Sequence, residues 1–457
     1  MQNLLKGRSQ YSPNVDRYHQ VETKLDVDLV DESVDPLVVL TRYSMPSTSH
    51  KNQRLKTRAQ QFQDADDASA ASRSRRVQVL IVGLGPAGTA CGLALANSGV
   101  DVLAVDRAYF PRDKICGDAL TGEALAYLRR HNIPSTIIQR SFGETRKPCF
   151  HELTHTLAEA GGYNLIETSL RTQTASFHTI RRVDLDNWMV ECCSKADVPM
   201  QFGWQVQSVD RISTSEPWTV KGKIRSRNGQ LRGEFQISAE VVVGCDGVSS
   251  VIQHVSRDPK DERPIALASR RYCKNDGDED EAISLMDHLW AMNPSYAWTF
   301  SVKGGTNSGI YWCHHHNIPH ISGRVLLALT RKHAPRGETV KTWGIPVLTE
   351  VPMASAPSGI LLTGDAASLV DPLIGHGIER AIFSGELAGQ VLAQGFQTGC
   401  DIETLTRTYE SKLEIRRRGW QQHIKHLENA LQGKDHTADQ LTKALLRSVM
   451  RRSSTKR

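Results

Sequence analysis

One stretch of the chain, residues 77–106, constrains the fold more than any other. Val77–Val82 is a short apolar run rich in β-branched residues, which is typical of a strand buried on both faces. A glycine-rich turn follows, and the Ala/Leu-rich segment Ala90–Asn97 then favours a helix. Gly99 ends that helix, and Val100–Val105 predicts a second strand. The order of strand, turn, helix and strand makes this stretch a βαβ unit.

The turn of this unit has the residue types that a bound pyrophosphate requires. Gly83 permits a tight turn, Gly85 lets the backbone approach the phosphates, and Gly88 lets helix and strand pack closely. The N–H groups and dipole at the helix start favour negative charge. Asp106 ends the second strand, where its carboxylate can accept hydrogen bonds from ribose hydroxyls. The unit therefore predicts dinucleotide binding; the alternative is a βαβ unit with an incidental glycine-rich turn.

Composition limits the class of protein. The chain has 457 residues, enough for one large or two ordinary domains, and its net charge of +6 is concentrated at the C-terminal end. Its nine cysteines include no CxxC pair, which predicts reduced thiols and an intracellular, cytoplasmic protein. No apolar stretch approaches the ~20 residues that span a bilayer, and no signal-peptide pattern opens the chain. Peripheral membrane contact stays open.

The first part of the fold is a nucleotide-binding domain in two segments. Residues 1–75 are polar and predict a disordered extension, with a small accessory domain as the alternative. Residues 76–263 and 351–400 predict a discontinuous, Rossmann-like α/β domain. Part of residues 120–175 could face a substrate. The fold class is therefore α/β.

An inserted sheet and a helical end complete the predicted organisation. Residues 264–350 hold strand-like pieces, including Ala297–Val302, Gly309–Cys313 and Arg324–Leu329, which predict a substrate domain that roofs a pocket. Residues 401–457 predict basic helices, read as a solvated face in preference to a contact with anionic lipid.

Two further strands end in turns that contain glycine and aspartate. We call these two turns and the glycine-rich turn at residues 83–88 the three corners. Trp218–Arg225 and Leu231–Ile237 flank Asn228-Gly229, which predicts a hairpin. Ala239–Val243 then predicts a strand that ends in Gly244-Cys245-Asp246-Gly247. Residues 359–367 predict another buried strand, which ends in Gly364-Asp365, and a helix starts near Gly377 and runs through Ala393.

Two connecting segments carry candidate site residues. The loop after Asp106 is rich in Gly, Pro and charge, and its position predicts that it lies over the bound nucleotide. Thr121 is the predicted N-cap of the helix that follows. Ile180–Met189 predicts a strand end that feeds a helix and includes Arg182.

The three corners together resemble a known family. Their order and spacing are similar to those of the FAD-dependent oxidoreductases of the p-hydroxybenzoate hydroxylase type, and within that group to the geranylgeranyl reductase family. The similar stretches are residues 110–117, Leu362-Thr363-Gly364-Asp365-Ala366-Ala367 and residues 370–378. The resemblance covers about residues 76–400 and implies that FAD is the cofactor.

The resemblance implies FAD contacts residue by residue, from the ADP half near Gly85 to the flavin ring near Gly375. Three positions depart from the family pattern: His376, Gln253 and Ser301. These departures affect the prediction of the substrate more than the prediction of FAD binding. The implied FAD-binding residues are Gly83, Gly85, Pro86, Ala87, Gly88, Asp106, Arg107, Lys114, Cys116, Gly117, Arg182, Asp246, Gly247, Gly364, Asp365, Pro372, Gly375, His376, Gly377 and Ile378.

Cys116 and His376 are the candidate catalytic residues. Cys116 lies in the loop over the flavin, where it could face the reacting centre or serve as a small apolar filler. His376 could donate a proton or tune the flavin, or it could be a hydrogen-bonded spectator. Tyr296 and Trp298 are expected to line the substrate pocket or the core.

Other ligand classes are disfavoured. Cys313, three histidines at 314–316 and His320 invite a metal site, but alternation on a strand would split them between two faces. We therefore predict no metal. Basic residues do not interleave with aromatic ones, so no nucleic-acid partner is predicted.

The predicted function is reduction of carbon–carbon double bonds in a hydrophobic, prenyl-like substrate by FAD. The chain has one glycine-rich Rossmann loop, so NAD(P)H is expected to dock only transiently. One alternative is a monooxygenase that acts through a flavin hydroperoxide; the segment Tyr296–Ser301 disfavours a halogenase. A second alternative is an inactive flavin-binding protein. The oligomeric state is left undetermined.

Overall fold

A computed structural model of the protein describes most of the predicted nucleotide-binding domain and parts of the inserted sheet. The expectations about residues 1–73, the histidines at 314–320 and the basic tail from residue 433 lie outside it. All described residues belong to one unit, Gln63–Arg457. The described residues are 74–142, 176–255, 265–274, 284–288, 296–312, 323–348, 356–372 and 375–432.

Strands and helices alternate in the first part of the described chain, and strands dominate its middle. The strands are β1 Ser74–Val82, β2 Val102–Asp106, β3 Ala119–Leu120, β4 Gln139–Phe142, β5 Ser176–Thr179, β6 Met200–Phe202, β7 Trp204–Asp210, β8 Trp218–Arg225, β9 Leu231–Gly244, β10 Ile265–Cys273, β11 Ser284–His288, β12 Tyr296–Val302, β13 Gly305–Trp312, β14 Lys341–Pro346 and β15 Ile360–Leu362. The helices are α1 Pro86–Leu95, α2 Gly122–Arg130, α3 Arg182–Lys195, α4 Gly323–His333, α5 Ile378–Thr398 and α6 Ile402–Gln432.

The larger sheet confirms the Rossmann-like α/β fold. Its strand order is β6-β2-β1-β9-β8-β7, and β15 pairs with β9. The strands β6, β2, β1, β9 and β15 run parallel, whereas β7, β8 and β9 pair antiparallel. The buried strands β1 and β2 supply much of the apolar core, as expected for parallel strands covered on both faces.

The longest strand, β9, merges two segments that were predicted as separate strands. The hairpin at Asn228-Gly229 is confirmed, because β8 and β9 pair antiparallel across it. The prediction of a break between Ile237 and Ala239 is wrong, since one strand runs through both residues. Phe235, Ile237 and Ala239 are all buried, so the alternation continues and no turn residue interrupts it.

The strand register brings the three corners to one edge of the sheet. Val82, the last residue of β1, pairs with Val105 of β2 and with Gly244 of β9. Gly244 in turn pairs with Leu362, the last residue of β15. The carboxyl ends of these strands are therefore level, and the corners that follow them face the same crevice, as in other open α/β sheets.

A second, antiparallel sheet of five strands has the order β11-β12-β13-β10-β14. The prediction of a strand at Arg324–Leu329 is wrong, because these residues belong to α4. Within α4 the buried side chains are Leu326, Leu329 and Thr330. That spacing has the period of a helix, not the alternation of a strand.

The helices follow the predicted positions closely. Helix α1 starts at Pro86, which suits the first turn, and ends at Leu95. Helix α5 starts after Gly377 and continues to Thr398. The two helices pack tightly, since a Cβ added at Gly385 would lie 2.0 Å from the carbonyl oxygen of Ala87. Among the described residues, no helix has the length and apolar character needed to cross a bilayer.

Candidate active site

A cavity of about 760 Å³ opens at the carboxyl edge of the larger sheet, a volume typical of cofactor and substrate sites. It brings together residues from all three corners, from the loop after β2 and from the second sheet. The predicted site residues that line it are Gly83, Gly85, Pro86, Ala87, Asp106, Arg107, Lys114, Cys116, Gly117, Arg182, Asp246, Gly247, Asp365, Gly375, His376, Gly377, Ile378, Tyr296 and Trp298.

Three predicted residues lie behind the cavity wall instead of on it. Gly88 is packed against the carbonyl of the first corner, where an added Cβ would lie 1.8 Å from the oxygen of Gly83. The amide of Gly364 donates to the hydroxyl of Ser384 at 2.9 Å. The carbonyl of Pro372 accepts from the Tyr311 hydroxyl at 2.8 Å. Their contacts shape the wall.

The first corner is held by its own backbone and by one carboxylate. Gly83 has φ of +98°, and an added Cβ would lie 2.4 Å from the carbonyl oxygen of Cys245. Asp106 accepts hydrogen bonds from the backbone N–H groups of Leu84 and Ala108, both at 2.7 Å. Each carboxylate oxygen keeps a further lone pair, so Asp106 can order the turn and still accept from a ligand.

The second corner has an unmet hydrogen-bonding group. Asp246 Oδ2 accepts from the Val251 N–H at 2.7 Å, while no described residue donates to its buried Oδ1. Burial raises the pKa of Asp246, and its hydrogen bonds to Ser250 and the backbone oppose that shift. A buried acceptor without a donor is costly, so a bound hydroxyl group at Oδ1 would relieve that cost.

The third corner precedes the N-terminus of α5. A Cβ added at Gly377 would lie 3.1 Å from Val370 Cγ2 and at ordinary contact distance, 3.5 Å, from Asp365 Oδ1. His376 lines the cavity, and its buried Nδ1 has no partner among the described residues. Burial lowers the pKa of His376 to about 4, against the opposing charge of Asp371. The imidazole is therefore neutral near pH 7 and can exchange a hydrogen bond with a ligand.

Two arginines share one buried carboxylate beside the first corner. Arg182 binds Asp186 through Nε at 2.7 Å and Nη2 at 2.8 Å, a bidentate pair one helical turn apart. Arg112 Nη1 lies 2.9 Å from the same carboxylate. A Cβ added at Gly85 would lie 3.5 Å from Arg112 Nη2. Two guanidinium groups and one carboxylate leave net positive charge on this side of the cavity, which favours the binding of a pyrophosphate.

The loop after β2 is clamped to the second sheet by charge. Asp113 accepts from Arg270 Nη2 and from Lys341 Nζ, each at 2.6 Å. Burial raises the pKa of Asp113, but Lys341 and Arg270 outweigh it and hold that pKa below its usual value. Next to it, Lys114 Nζ lies 4.3 Å from the centre of the Trp343 ring.

Asp118 is fully buried and makes a second set of contacts between the loop and the second sheet. We call the contacts of Asp113 and of Asp118 the two clamps. Its Oδ2 accepts from the Tyr272 hydroxyl at 2.7 Å and from Asn307 Nδ2 at 2.8 Å, and its Oδ1 accepts from the Arg182 N–H at 3.2 Å. Burial raises the pKa of Asp118 to about 6, although these donors oppose it. Asn307 also donates to the carbonyl of Cys116 at 2.7 Å. The loop and the second sheet are thus one hydrogen-bonded structure.

Four aromatic side chains from the second sheet form what we call the aromatic wall: Tyr296, Trp298, Phe300 and Tyr311. Their neighbouring ring centres are 5.4 to 6.1 Å apart. Gly117 of the loop packs against them, and Trp298 Nε1 donates to Asn307 Oδ1 at 3.0 Å. We call the part of the lining formed by Gly83, Gly85, Asp246 and Asp365 the cradle wall.

Cys116 lines the cavity between the two walls. Burial raises its pKa, and Arg182 opposes that shift without reversing it. The side chain is therefore a thiol near pH 7, not a thiolate. Its catalytic role, like that of His376, stays a prediction.

Sequence reasoning missed several residues of this site. Their only sequence signal was that three of them fall in the charged loop after β2. Their partners come from distant strands and carry no local pattern. The missed residues are Arg112, Asp113, Asp118, Arg270, Tyr272 and Asn307.

Comparison with known proteins agrees with this geometry. Residues 76–265 match the family model described as an FAD binding domain. The chain is 28% identical to a menaquinone reductase of Mycolicibacterium smegmatis over 342 residues, which are 70% of this chain and 77% of that protein. It is 23% identical to a digeranylgeranylglycerophospholipid reductase of Methanothrix thermoacetophila over 331 residues, 71% of this chain and 79% of that one.

Solved structures share the fold. A geranylgeranyl bacteriochlorophyll reductase-like protein from Thermoplasma acidophilum has a TM-score of 0.60 at 21% identity, covering 84% of this chain and 94% of its own. The flavin-dependent brominase Bmp2 has a TM-score of 0.54 at 18% identity, covering 82% and 93%.

The family match and the corners define an FAD-binding domain, and the fold is shared with the solved structures above. Beyond that domain, the chain is similar to proteins named for the reduction of menaquinone and of digeranylgeranylglycerophospholipid. The residues present fit FAD: Gly85 lines the cavity without a side chain, and two buried polar atoms, Asp246 Oδ1 and His376 Nδ1, have no partner among the described residues.

Proposed function

We propose that this protein reduces carbon–carbon double bonds of a hydrophobic, prenyl-like substrate. The observation that carries the proposal is that the cradle wall and the aromatic wall line one cavity. The first wall suits a charged dinucleotide, and the second suits an apolar chain. Two relatives named for reduction of a prenylated lipid and of menaquinone support the same substrate class.

In this proposal the chain's own residues bind, orient and exclude water. FAD, when bound, supplies the hydride transfer. Gly83, Gly85, Asp246 and Asp365 hold it, while Arg112 and Arg182 balance the phosphate charge. The clamps at Asp113 and Asp118 keep the loop closed over the site, which orders the reacting groups.

We further propose NAD(P)H as the transient electron donor. Bleaching of bound FAD by NADH or NADPH, followed by absorbance under anaerobic conditions, tests this step by itself. Bleaching by dithionite alone would mean that the donor is of another class.

The test of the reaction is an anaerobic incubation with dithionite and digeranylgeranylglycerophospholipid or menaquinone. Mass spectrometry should show the gain of hydrogen pairs without oxygen. Product that forms only with O₂ would establish the monooxygenase alternative instead, and an FAD-loaded protein that no donor reduces would establish the inactive one.

A cavity-filling variant tests the cradle wall, and a second valine variant is its matched control. Gly85→Val places a side chain beside Arg112, in the cradle wall, and should abolish FAD retention and product. Gly323→Val adds the same atoms at the start of α4, where nothing lies within 4 Å of an added Cβ, and should keep both.

A further inference from the structure

Two glutamates meet at the edge of the cavity. Glu379 lies in the first turn of α5 and lines the cavity, and Glu123 lies in the first turn of α2. Helices α2 and α5 are in contact, and Glu123 acts on Glu379 through its charge and through a side-chain hydrogen bond. Two carboxyl groups in such contact cannot both be ionised without a large repulsion, so the pair holds a proton between them.

The surroundings decide which glutamate is ionised. Glu123 Oε2 accepts from Arg416 Nη2 of α6 at 2.9 Å, and both side chains are about a quarter exposed, at 28% and 25%. A guanidinium partner and access to water favour the carboxylate form of Glu123. The guanidinium of Arg416 also lies over the Phe383 and Trp420 rings, 5.3 and 5.5 Å from their centres, which fixes its position.

Glu379 is partly buried, as Glu123 is, but it lines the cavity. Burial and the charge of Glu123 raise its pKa to about 8, against smaller opposing contributions from Thr121 and Arg380. Arg380 is already engaged by Asp371 at 2.6 Å and by the Leu369 carbonyl at 2.8 Å. Glu379 is therefore a carboxylic acid near pH 7.

Thr121 orients the acid. Its hydroxyl oxygen accepts from the Ala124 N–H at 3.2 Å as the helix N-cap, which leaves its hydrogen free to bond Glu379. The His376 imidazole, by contrast, is neutral near pH 7, because its pKa lies near 4.

We propose that Glu379 is the acid that delivers a proton into the cavity, and that Glu123 beside Arg416 recharges it from solvent. This inference rests on the proposed double-bond reduction. The hydride forms one new C–H bond, and the proton released when the Glu379 O–H bond breaks forms the other. Glu379 is left as a carboxylate and regains a proton that Glu123 takes from water.

The first test needs neither FAD nor substrate. In protein with ¹³C-labelled glutamate carboxyl groups, NMR titration should show one carboxyl that loses its proton near pH 8. That signal should vanish in Glu379→Gln. It should move to lower pH in Glu123→Gln, because a like charge has been removed. Glu403→Gln, an exposed change on α6, is the matched control and should leave it in place.

The second test uses the FAD-loaded protein in single turnover. Glu379→Gln should slow saturated product formation by about 10²–10⁴-fold, while FAD binding and its reduction by dithionite stay unchanged. Glu403→Gln should match the wild type.

Failures of the two proposals are distinguishable. Wild-type rates in Glu379→Gln, or ordinary titration of Glu379 near its usual 4.5, would overturn the assignment of the acid even if double bonds are reduced. A wild type that reduces no double bond but retains the titration near pH 8 would overturn the proposed reaction and leave the proton-holding pair standing.

Discussion

The two walls of the cavity are built by different means. The cradle wall is made of backbone turns, and any added atom collides at Gly83 within it and at Gly88 behind it. The aromatic wall and its clamps are made of side chains from distant strands, and the key groups are buried donors and acceptors around Asp118. The first wall is therefore sensitive to gained volume, and the second to lost hydrogen bonds.

The largest effect should come from adding one carbon behind the cradle wall. In Gly88→Ala the new Cβ would lie 1.8 Å from the Gly83 oxygen, so the first turn must shift. We expect loss of about 3 kcal/mol of stability and loss of FAD retention, measured by urea unfolding and flavin absorbance.

Gly419→Ala is the control for that change. Gly419 lies exposed in α6, and nothing lies within 4 Å of an added Cβ. Helix propensity predicts a gain of up to about 1 kcal/mol there, with full FAD retention. If Gly88→Ala and Gly419→Ala had equal stability and equal FAD retention, the cradle wall would not be sensitive to added volume, and the difference between the two walls would be contradicted.

A smaller effect is expected at the clamp. Asp118→Asn places an amide among three hydrogen-bond donors and leaves at least one without an acceptor, which should cost about 2 kcal/mol in the free energy of unfolding. Asp101→Asn, at a half-exposed ion pair with Arg75, should cost under about 1 kcal/mol.

The same clamp should give a pH signature. The pKa of Asp118 is raised from 3.8 to about 6 in the folded protein, so the folded state holds the extra proton between these values. Wild type should therefore lose stability relative to Asp118→Asn as pH rises through this window, by at most about 1.4 kcal/mol per pH unit. If the difference in the free energy of unfolding between wild type and Asp118→Asn did not change with pH, the assigned pKa would be contradicted.

The smallest effect is expected within the aromatic wall. Trp298→Phe keeps a ring but removes the bond from Nε1 to Asn307, at a cost of about 1 kcal/mol. We expect a rise of about tenfold or less in the KM for the prenyl substrate, with unchanged FAD affinity. Loss of FAD from this variant would show that the walls do not act separately.

Much of the fold was predictable where the signal is local. The strand–turn–helix unit at residues 77–106, the Asn228-Gly229 hairpin and the Thr121 cap each depend on neighbours in sequence. The helix α4 was missed because its apolar run was too short for its period to be read without knowing which side is buried.

The sequence by itself determined the cradle wall, because a glycine in a tight turn or an aspartate after a buried strand is required by the local backbone. Tertiary structure alone decided the partners of Asp113, Asp118 and Glu379. These residues become clamps or acids only when strands and helices far along the chain bring Arg270, Tyr272 or Glu123 into contact. Burial and these partners then set their charge, and both are properties of the assembled fold.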